Sequence, residues 1–152
     1  MQEQQASDNQ IAQWLTFSLE TEIYAVEVLR TLEILNFMEL APVPGAPGYV
    51  LGMISLRGEV INVNSLRLLL GLPQEDVTDQ SCIILLDIGG QIQGVLVDSV
   101  SEIVSIKSED IDSSNEHGTD CPFIKGTAHY EDKILILLSV EKLLVGDVGD
   151  DF

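Results

Sequence analysis

GAPGYVLGMISLRGEVINVNSLRLLLGLP, the stretch from Gly45 to Pro73, decides the fold. It contains two runs rich in β-branched and aliphatic residues, Val50 to Leu56 and Val60 to Val63, and the polar sequence Arg57-Gly58-Glu59 separates them. Runs of this composition favour strands, and glycine tolerates the positive φ that a tight turn requires. The segment therefore predicts a β-hairpin.

A short helix is expected directly after the hairpin. Ser65 can accept a hydrogen bond from a free N–H group of the first helical turn. Three leucines then fall on one helical face, and a glycine and a proline end the pattern: Leu66, Leu69, Leu70, Gly71, Pro73. The segment offers no catalytic group. An arginine in the turn would lose hydration inside the core, so we expect Arg57 to be displayed outward or paired.

Composition limits the classes of partner. The chain has 152 residues, a hydrophobic content of 45% and a formal net charge of −18. Such a charge repels nucleic acid and anionic membrane surfaces. We interpret the excess acid as a solubilising surface, and a basic partner surface stays open as an alternative. The sequence shows no signal peptide and no run of membrane-spanning length, so we expect a cytoplasmic protein whose Cys82 and Cys121 are reduced thiols.

The two halves of the chain resemble each other. Glu33-Ile34 returns as Glu102-Ile103, an offset of 69 (102 − 33), and in the same register the alternating residues of an early strand match those of a later one: Leu15, Phe17 and Leu19 match Ile84, Leu86 and Ile88. The strand, serine and leucine pair that close the first half recur at an offset of 74. Arg57-Gly58 has no counterpart beyond Lys125-Gly126. The pattern predicts two similar units.

The strands are short and separated by turn signals, which is typical of curled sheets or barrels. We therefore predict a mainly β protein with two small barrel lobes, at about residues 14–73 and 81–146, with strand exchange between the lobes left open. Residues 1–11 and 147–152 are expected to be flexible tails.

The order and spacing of these motifs resemble the CheW-like coupling proteins of bacterial chemotaxis, in their free-standing form. The resemblance runs from Trp14 to Leu144, and its most specific element is Leu56-Arg57-Gly58 followed by Leu66-Arg67. It implies one domain over residues 12–152, built as two five-stranded SH3-like barrels around a shared hydrophobic core. It also implies a non-catalytic scaffold of signal transduction, with no cofactor and no metal, recruited to membrane-associated receptor arrays.

The family's partners are the regulatory domain of the histidine kinase CheA and the cytoplasmic tip of methyl-accepting chemoreceptors. By position, Arg57 matches the arginine of the family's Asn-Leu-Arg-Gly signature and Glu33 its acidic residue after the second strand. The family's receptor groove between the lobes would draw on a set of mostly apolar residues. The resulting partner-binding set is Glu33, Ile34, Leu56, Arg57, Gly58, Val97, Val100, Ile103 and Val104.

The chain departs from the family pattern at three positions. Ser55 replaces an asparagine, Asn62 a common proline, and Ser65 an aspartate that precedes Leu-Arg. Serine can still cap the helix, and Asn62 restores a backbone N–H group. These changes bear on which receptor or kinase is bound, so an adaptor of a pilus or surface-sensing kinase array is the alternative.

Two further interpretations belong to other classes. Asp98, His117 and His129 suggest a small metal-dependent hydrolase, and the same histidines with Cys82 and Cys121 suggest a zinc site, although their spacing matches no compact metal motif. The other interpretation is an acidic protein that captures a basic partner by charge alone, and such binding would weaken at high salt.

Overall fold

The computed structural model describes residues 10–113 and 123–143. These residues form ten strands, two short α-helices, and two 3-10 turns at Val28–Arg30 and Ser108–Asp110. The strands are β1 Ile11–Leu19, β2 Glu22–Glu27, β3 Thr31–Asn36, β4 Val50–Leu56, β5 Glu59–Ser65, β6 Cys82–Ile88, β7 Gln91–Val97, β8 Ser99–Lys107, β9 Ile124–Tyr130 and β10 Lys133–Leu138. The helices are α1 Leu66–Leu69 and α2 Val140–Leu143.

The strands form two five-stranded sheets, as the fold prediction required. Sheet I has the order β8-β1-β2-β10-β9, and sheet II has the order β3-β6-β7-β5-β4. Each sheet curls until its two edges approach. In sheet II, Ala41 and Met53 exchange backbone hydrogen bonds of 2.9 and 2.8 Å, and in sheet I Asp112 and Thr127 exchange bonds of 2.8 and 3.0 Å. Each bridge pairs one residue in the middle of an edge strand that an open sheet would leave unpaired.

The sheets do not follow the two contiguous lobes expected at residues 14–73 and 81–146, because each sheet takes strands from both halves. The physical reason is the length of the connections. Asp98 alone separates β7 from β8. To stay in sheet II, β8 would have to cross β6, a distance of about 9.6 Å, whereas two extended residue steps span about 7 Å. The chain therefore passes into sheet I.

The internal repeat extends to strand register. Shifting sheet I by the two offsets converts its strand order into that of sheet II. The antiparallel pair Leu15 and Val26 in sheet I becomes Ile84 and Val95 in sheet II, and both pairs are observed. The parallel pair Leu137 and Ala25 likewise becomes Val63 and Gly94. The two sheets are thus copies of one unit, and each combines the first two strands of one half with the last three strands of the other.

The predicted hairpin and helix are present. β4 and β5 pair from Val50–Asn64 to Leu56–Glu59, and the Ser65 hydroxyl accepts a hydrogen bond of 3.1 Å from the Leu68 N–H group. Arg57 and Gly58 both have positive φ, 51° and 84°. Two consecutive positive φ values define the type I′ turn, whose twist matches that of the flanking strands.

The register corrects the proposed counterpart of Arg57-Gly58. Its equivalent is Glu131-Asp132, and Glu131 has a φ of 58°. Gly126 instead corresponds to Gly52, since each lies opposite an equivalent residue of the neighbouring strand.

Three hydrophobic clusters stabilise the molecule. The largest lies between the sheets and draws on both of them as well as both helices, which agrees with the expected shared core. Trp14 is the largest side chain of a second cluster inside sheet I, and Ile54 and Ile83 belong to a third inside sheet II. Burial of this apolar surface supplies the main stabilisation of the fold.

The expected tails, thiols and histidines lie partly inside and partly outside the described residues. Ile11, expected in the N-terminal tail, begins β1. Cys82 is a half-buried free thiol. His117, Cys121 and residues 147–152 lie outside the described residues. No helix among the described residues has the length and hydropathy needed to span a membrane.

Candidate partner-binding surface

The outer strand β3 carries an irregularity in its pairing with β6. Its pairing with β6 shifts register between Thr31 and Glu33, so Leu32 is the extra residue of a β-bulge. Bulges bend a strand and redirect its side chains. Leu32 and Ile34 are both exposed, Ile34 by 43%. We refer to Leu32, Glu33 and Ile34 as the β3 face.

The outer strand β8 has the equivalent irregularity. Its pairing with β1 shifts between Leu15 and Phe17, and as a result Ser101, Glu102 and Ile103 are exposed in succession. We refer to these three residues as the β8 face. Ile103 is 54% exposed and is the register equivalent of Ile34. The structure thus places one partly exposed isoleucine at the same position of each outer strand.

A buried threonine stabilises the bulge of β8. The Thr16 hydroxyl donates a hydrogen bond of 2.8 Å to the Glu102 carbonyl oxygen and accepts one of 3.0 Å from the Glu102 N–H group. In sheet II the equivalent position is Leu85, which has no such group. The hydroxyl that holds the β8 bulge therefore has no counterpart at the equivalent position of sheet II.

Arg57 and Glu33 form a two-pronged ion pair beside the β3 face. Arg57 Nη1 and Nη2 each lie 2.9 Å from a different carboxylate oxygen of Glu33. The hydrogen bonds from Arg57 lower the pKa of Glu33 below its ordinary value, and those to Glu33 raise the pKa of Arg57. The Arg57 side chain is nevertheless 68% exposed, so one face of the guanidinium stays accessible to a partner.

The corresponding position beside the β8 face carries only acid. The equivalents of Glu33 and Arg57 are Glu102 and Glu131. Among the residues that the structure describes, no ion pair includes either carboxylate. The two faces share their backbone and differ in charge.

The remaining members of the expected set are less exposed. Gly58 lies exposed in the turn beside Arg57, and Leu56 is half-buried against the core of sheet II. Val100 packs partly against the central cluster. Val97 and Val104 are buried, in the central cluster and the core of sheet I respectively, so a partner at the surface would not reach them.

The sequence analysis missed a second polar cluster, centred on Arg67. Its Nε and Nη2 lie 2.9 and 2.6 Å from the two carboxylate oxygens of Asp98. Its Nη1 donates to Glu20 Oε2 at 2.5 Å and to the Pro73 carbonyl oxygen at 3.0 Å. Arg67 is only 8% exposed. A buried arginine is rare unless it is paired, and one sequence offers no signal of that burial.

The contacts of Asp98 in this cluster argue against its interpretation as a catalytic base. Burial, the largest single influence, would raise the pKa of its carboxyl group, but hydrogen bonds from Arg67 and from the Glu20 N–H group outweigh burial and lower it. A carboxylate stabilised in this way is a weak base. His129 lies exposed on β9, and the described part of the chain contains no cluster of three His, Cys, Asp or Glu side chains suited to a metal ion.

Comparison with known proteins assigns the fold to a family. The family model described as the CheW-like domain matches residues 13–147. The chain is 33% identical to the chemotaxis protein CheW of Helicobacter pylori over 144 residues, which covers 94% of this chain and 87% of that protein. It is 28% identical to CheW of Rhizobium meliloti over 131 residues, with 85% and 84% covered.

A solved structure agrees with these matches. The crystal structure of the scaffolding protein TtCheW from Thermoanaerobacter tengcongensis superposes with a TM-score of 0.80 at 28% identity, covering 88% of this chain and 87% of the other. The family match and the solved structure each cover nearly the whole chain, which includes both sheets and the Arg57 turn. The chain therefore belongs to the CheW-like family of chemotaxis scaffold proteins.

Proposed function

We propose that this protein is a non-catalytic, cytoplasmic adaptor that couples methyl-accepting chemoreceptors to the regulatory domain of the histidine kinase CheA. The observation that carries the proposal is the CheW-like match over residues 13–147, since the relatives it resembles are named as chemotaxis and scaffolding proteins. An adaptor needs accessible surfaces and no catalytic site, and its specificity comes from side chains at those surfaces.

The β3 face with Arg57 is the proposed docking surface. It combines two exposed aliphatic side chains with an arginine that is already oriented by Glu33. Apolar contacts of this kind supply affinity at an interface, while an oriented charge fixes how the partner sits. Ile103 on the β8 face is the second apolar contact that we assign to partner binding, and Val100 would support it from below.

The first test is reconstitution of a receptor fragment, CheA and this protein at limiting adaptor concentration, with kinase activity as the measurement. We expect Arg57→Ala to fold normally and to reduce kinase activation. The matched control is Glu131→Ala, which changes the equivalent turn of the other sheet. Unchanged activation with Arg57→Ala would contradict the assignment of Arg57.

A charge exchange separates docking from simple pairing. Arg57→Glu combined with Glu33→Arg restores an ion pair of reversed polarity. If the pair only stabilises the turn, this double variant should recover activation that Arg57→Ala loses. If a partner contacts the guanidinium, activation should stay low although the protein is as stable as the wild type.

A further inference from the structure

The chain passes from sheet II to sheet I through a connection of one residue. Asp98 lies between β7 and β8, and its N–H group donates a hydrogen bond of 3.1 Å to the Ser18 carbonyl oxygen of β1. Its Oδ2 accepts a second, also of 3.1 Å, from the Glu20 N–H group in the β1–β2 turn. Asp98 therefore determines where β8 begins and how it meets sheet I.

Arg67 fixes Asp98 from the opposite side. It projects from α1, which follows the last strand of the first half, and it contacts Asp98, Glu20 and the Pro73 carbonyl at once. A guanidinium that binds one carboxylate with two parallel hydrogen bonds constrains its orientation as well as its position. Helix α1, the β1–β2 turn and the start of β8 are thereby joined through a single side chain.

The other passage between the sheets is fastened differently. There the Val28–Arg30 turn connects β2 to β3, and Arg30 pairs with Glu141 of α2. Positions 67 and 141 are register equivalents, so the helix supplies the cation at one passage and the anion at the other. Arg30 contacts one partner, the exposed Glu141, whereas Arg67 is itself buried and contacts Asp98, Glu20 and the Pro73 carbonyl oxygen. Among the described residues, the passage through Asp98 thus has more charged contacts than the passage through Arg30.

We propose that Arg67 is a positioning residue for partner binding: through Asp98 it sets the path of β8 and so the exposed position of Ile103. Arg67 acts without touching the partner, because it is buried beneath the surface. This inference goes beyond the assignment of the β3 and β8 faces and depends on the proposed function only for its binding readout.

Hydrogen exchange on the full chain, followed by mass spectrometry, tests the positioning role without any partner. In Arg67→Met we expect the amides of 99–107 to exchange roughly tenfold faster or more, since the charge-assisted bonds to Asp98 are lost. Amides of β5 and β10 should speed up only as far as the loss of global stability of the variant explains, and clearly less than those of β8. A uniform rise over all strands, or no rise in β8, would overturn the proposal.

Binding is the second readout, measured by co-sedimentation with a receptor fragment and CheA at a temperature where circular dichroism shows each variant folded. Arg67→Met should bind at least about fivefold more weakly, and Arg67→Lys, which keeps the charge without the two-pronged geometry, should be intermediate. Arg30→Met is the matched control and should bind like the wild type. Wild-type affinity in folded Arg67→Met would overturn the positioning role.

Two outcomes keep the inferences separate. If the wild-type chain fails to bind, the proposed function is wrong, and the exchange pattern of β8 still decides whether Arg67 positions that strand. If Arg67→Met does not fold, Arg67→Lys and Asp98→Asn give the same measurements, and unchanged β8 exchange in both would refute the role of the cluster.

Discussion

The β3 and β8 faces are the same piece of backbone made twice, and they differ in charge. At the first, Glu33 is paired with Arg57, and at the second the equivalent residues Glu102 and Glu131 are both acidic and form no ion pair among the described residues. The bulge and the exposed isoleucine are common to both. One fold thus presents two surfaces that would select different partners, because charge at an interface governs which partner is accepted more than how tightly it binds.

The two passages between the sheets repeat this lesson inside the molecule. Each fastens a short helix to a connecting segment with an ion pair, but the polarity is reversed and the degree of burial differs. The helix residue of the ion pair stands at the equivalent position in both copies, 67 and 141, but its charge is opposite.

The largest difference is expected between Arg67→Met and Arg30→Met. Removing Arg67 leaves two partly buried carboxylates without their cation, which should lower the free energy of unfolding by about 2–4 kcal/mol. Removing Arg30 breaks an exposed pair and should cost about 0–1 kcal/mol. Urea denaturation followed by tryptophan fluorescence measures both. Equal losses would show that the two passages are energetically equivalent.

The second comparison concerns the glycines at which each sheet closes. A Cβ atom at Gly52 would lie 2.6 Å from Leu40 Cβ and 2.7 Å from the Ala41 carbonyl oxygen, and one at Gly126 would lie 2.9 Å from the Asp112 carbonyl oxygen. Gly52→Ala should cost about 1–3 kcal/mol in stability, and Gly126→Ala somewhat less, because both force the closing bridge apart.

Gly48→Ala is the matched control for this pair. A Cβ atom there meets nothing within 4 Å, and its φ is not positive. Denaturation midpoints of the three variants should therefore rank Gly52→Ala below Gly126→Ala below Gly48→Ala. A tolerated alanine at Gly52 would mean that the Ala41 segment moves away without penalty.

Thr16→Val tests how much the hydroxyl opposite the β8 bulge stabilises the protein. The equivalent residue opposite the β3 bulge is Leu85, which has no hydroxyl. The substitution conserves shape but removes both hydrogen bonds to Glu102, so we expect a loss of about 1–2 kcal/mol. Thr31→Val, which removes one hydrogen bond to the Glu27 carbonyl oxygen, should cost less. Thermal unfolding by calorimetry compares the two, and a neutral Thr16→Val would assign the bulge to packing alone.

Much of the fold follows from local patterns. The alternating strands, the Arg57-Gly58 turn and the Ser65 cap are short-range features, and the structure confirms each of them. The exchange of strands is a different kind of information, since period-two alternation shows which side of a strand is buried but leaves its partner undefined. The segment Val97-Asp98-Ser99-Val100 contains no glycine, proline or asparagine of a hairpin turn, and this was the available signal that β7 continues directly into another sheet.

The candidate site was harder to predict, for two physical reasons. A bulge shifts the phase of alternation, so in the apolar segment of β8 the sequence did not reveal that Val104 points inward and Ile103 outward. Arg67 was assigned no role because charged side chains are ordinarily at the surface. Both errors arise where tertiary contacts override a local rule.

Acid should weaken both the Arg67 cluster and the Arg57–Glu33 pair. The pKa values of Asp98 and Glu33 are both lowered in the folded protein, so their stabilising contributions are complete above the unfolded values near about 4 and are lost as the pH falls through the folded ones. Urea midpoints measured from pH 7 to pH 3 should therefore drop below about pH 4. The drop should be shallower in Arg67→Met and in Arg57→Ala, and identical pH profiles in all three proteins would contradict both assignments.

The smallest change in stability is expected from a substitution that tests directly whether the turns at Arg57 and Glu131 are equivalent. Glu131→Arg places an arginine where the other turn has Arg57, on a backbone whose φ of 58° is close to the 51° of Arg57. If the faces are equivalent, the new guanidinium should pair with Glu102 and stabilise the protein by about 0.2–1 kcal/mol, a gain that 1 M salt should abolish. Asp132→Arg, one residue further along the turn, is the control for charge alone. Equal gains from the two variants would mean that relief of the net negative charge, and no specific pair, stabilises the protein.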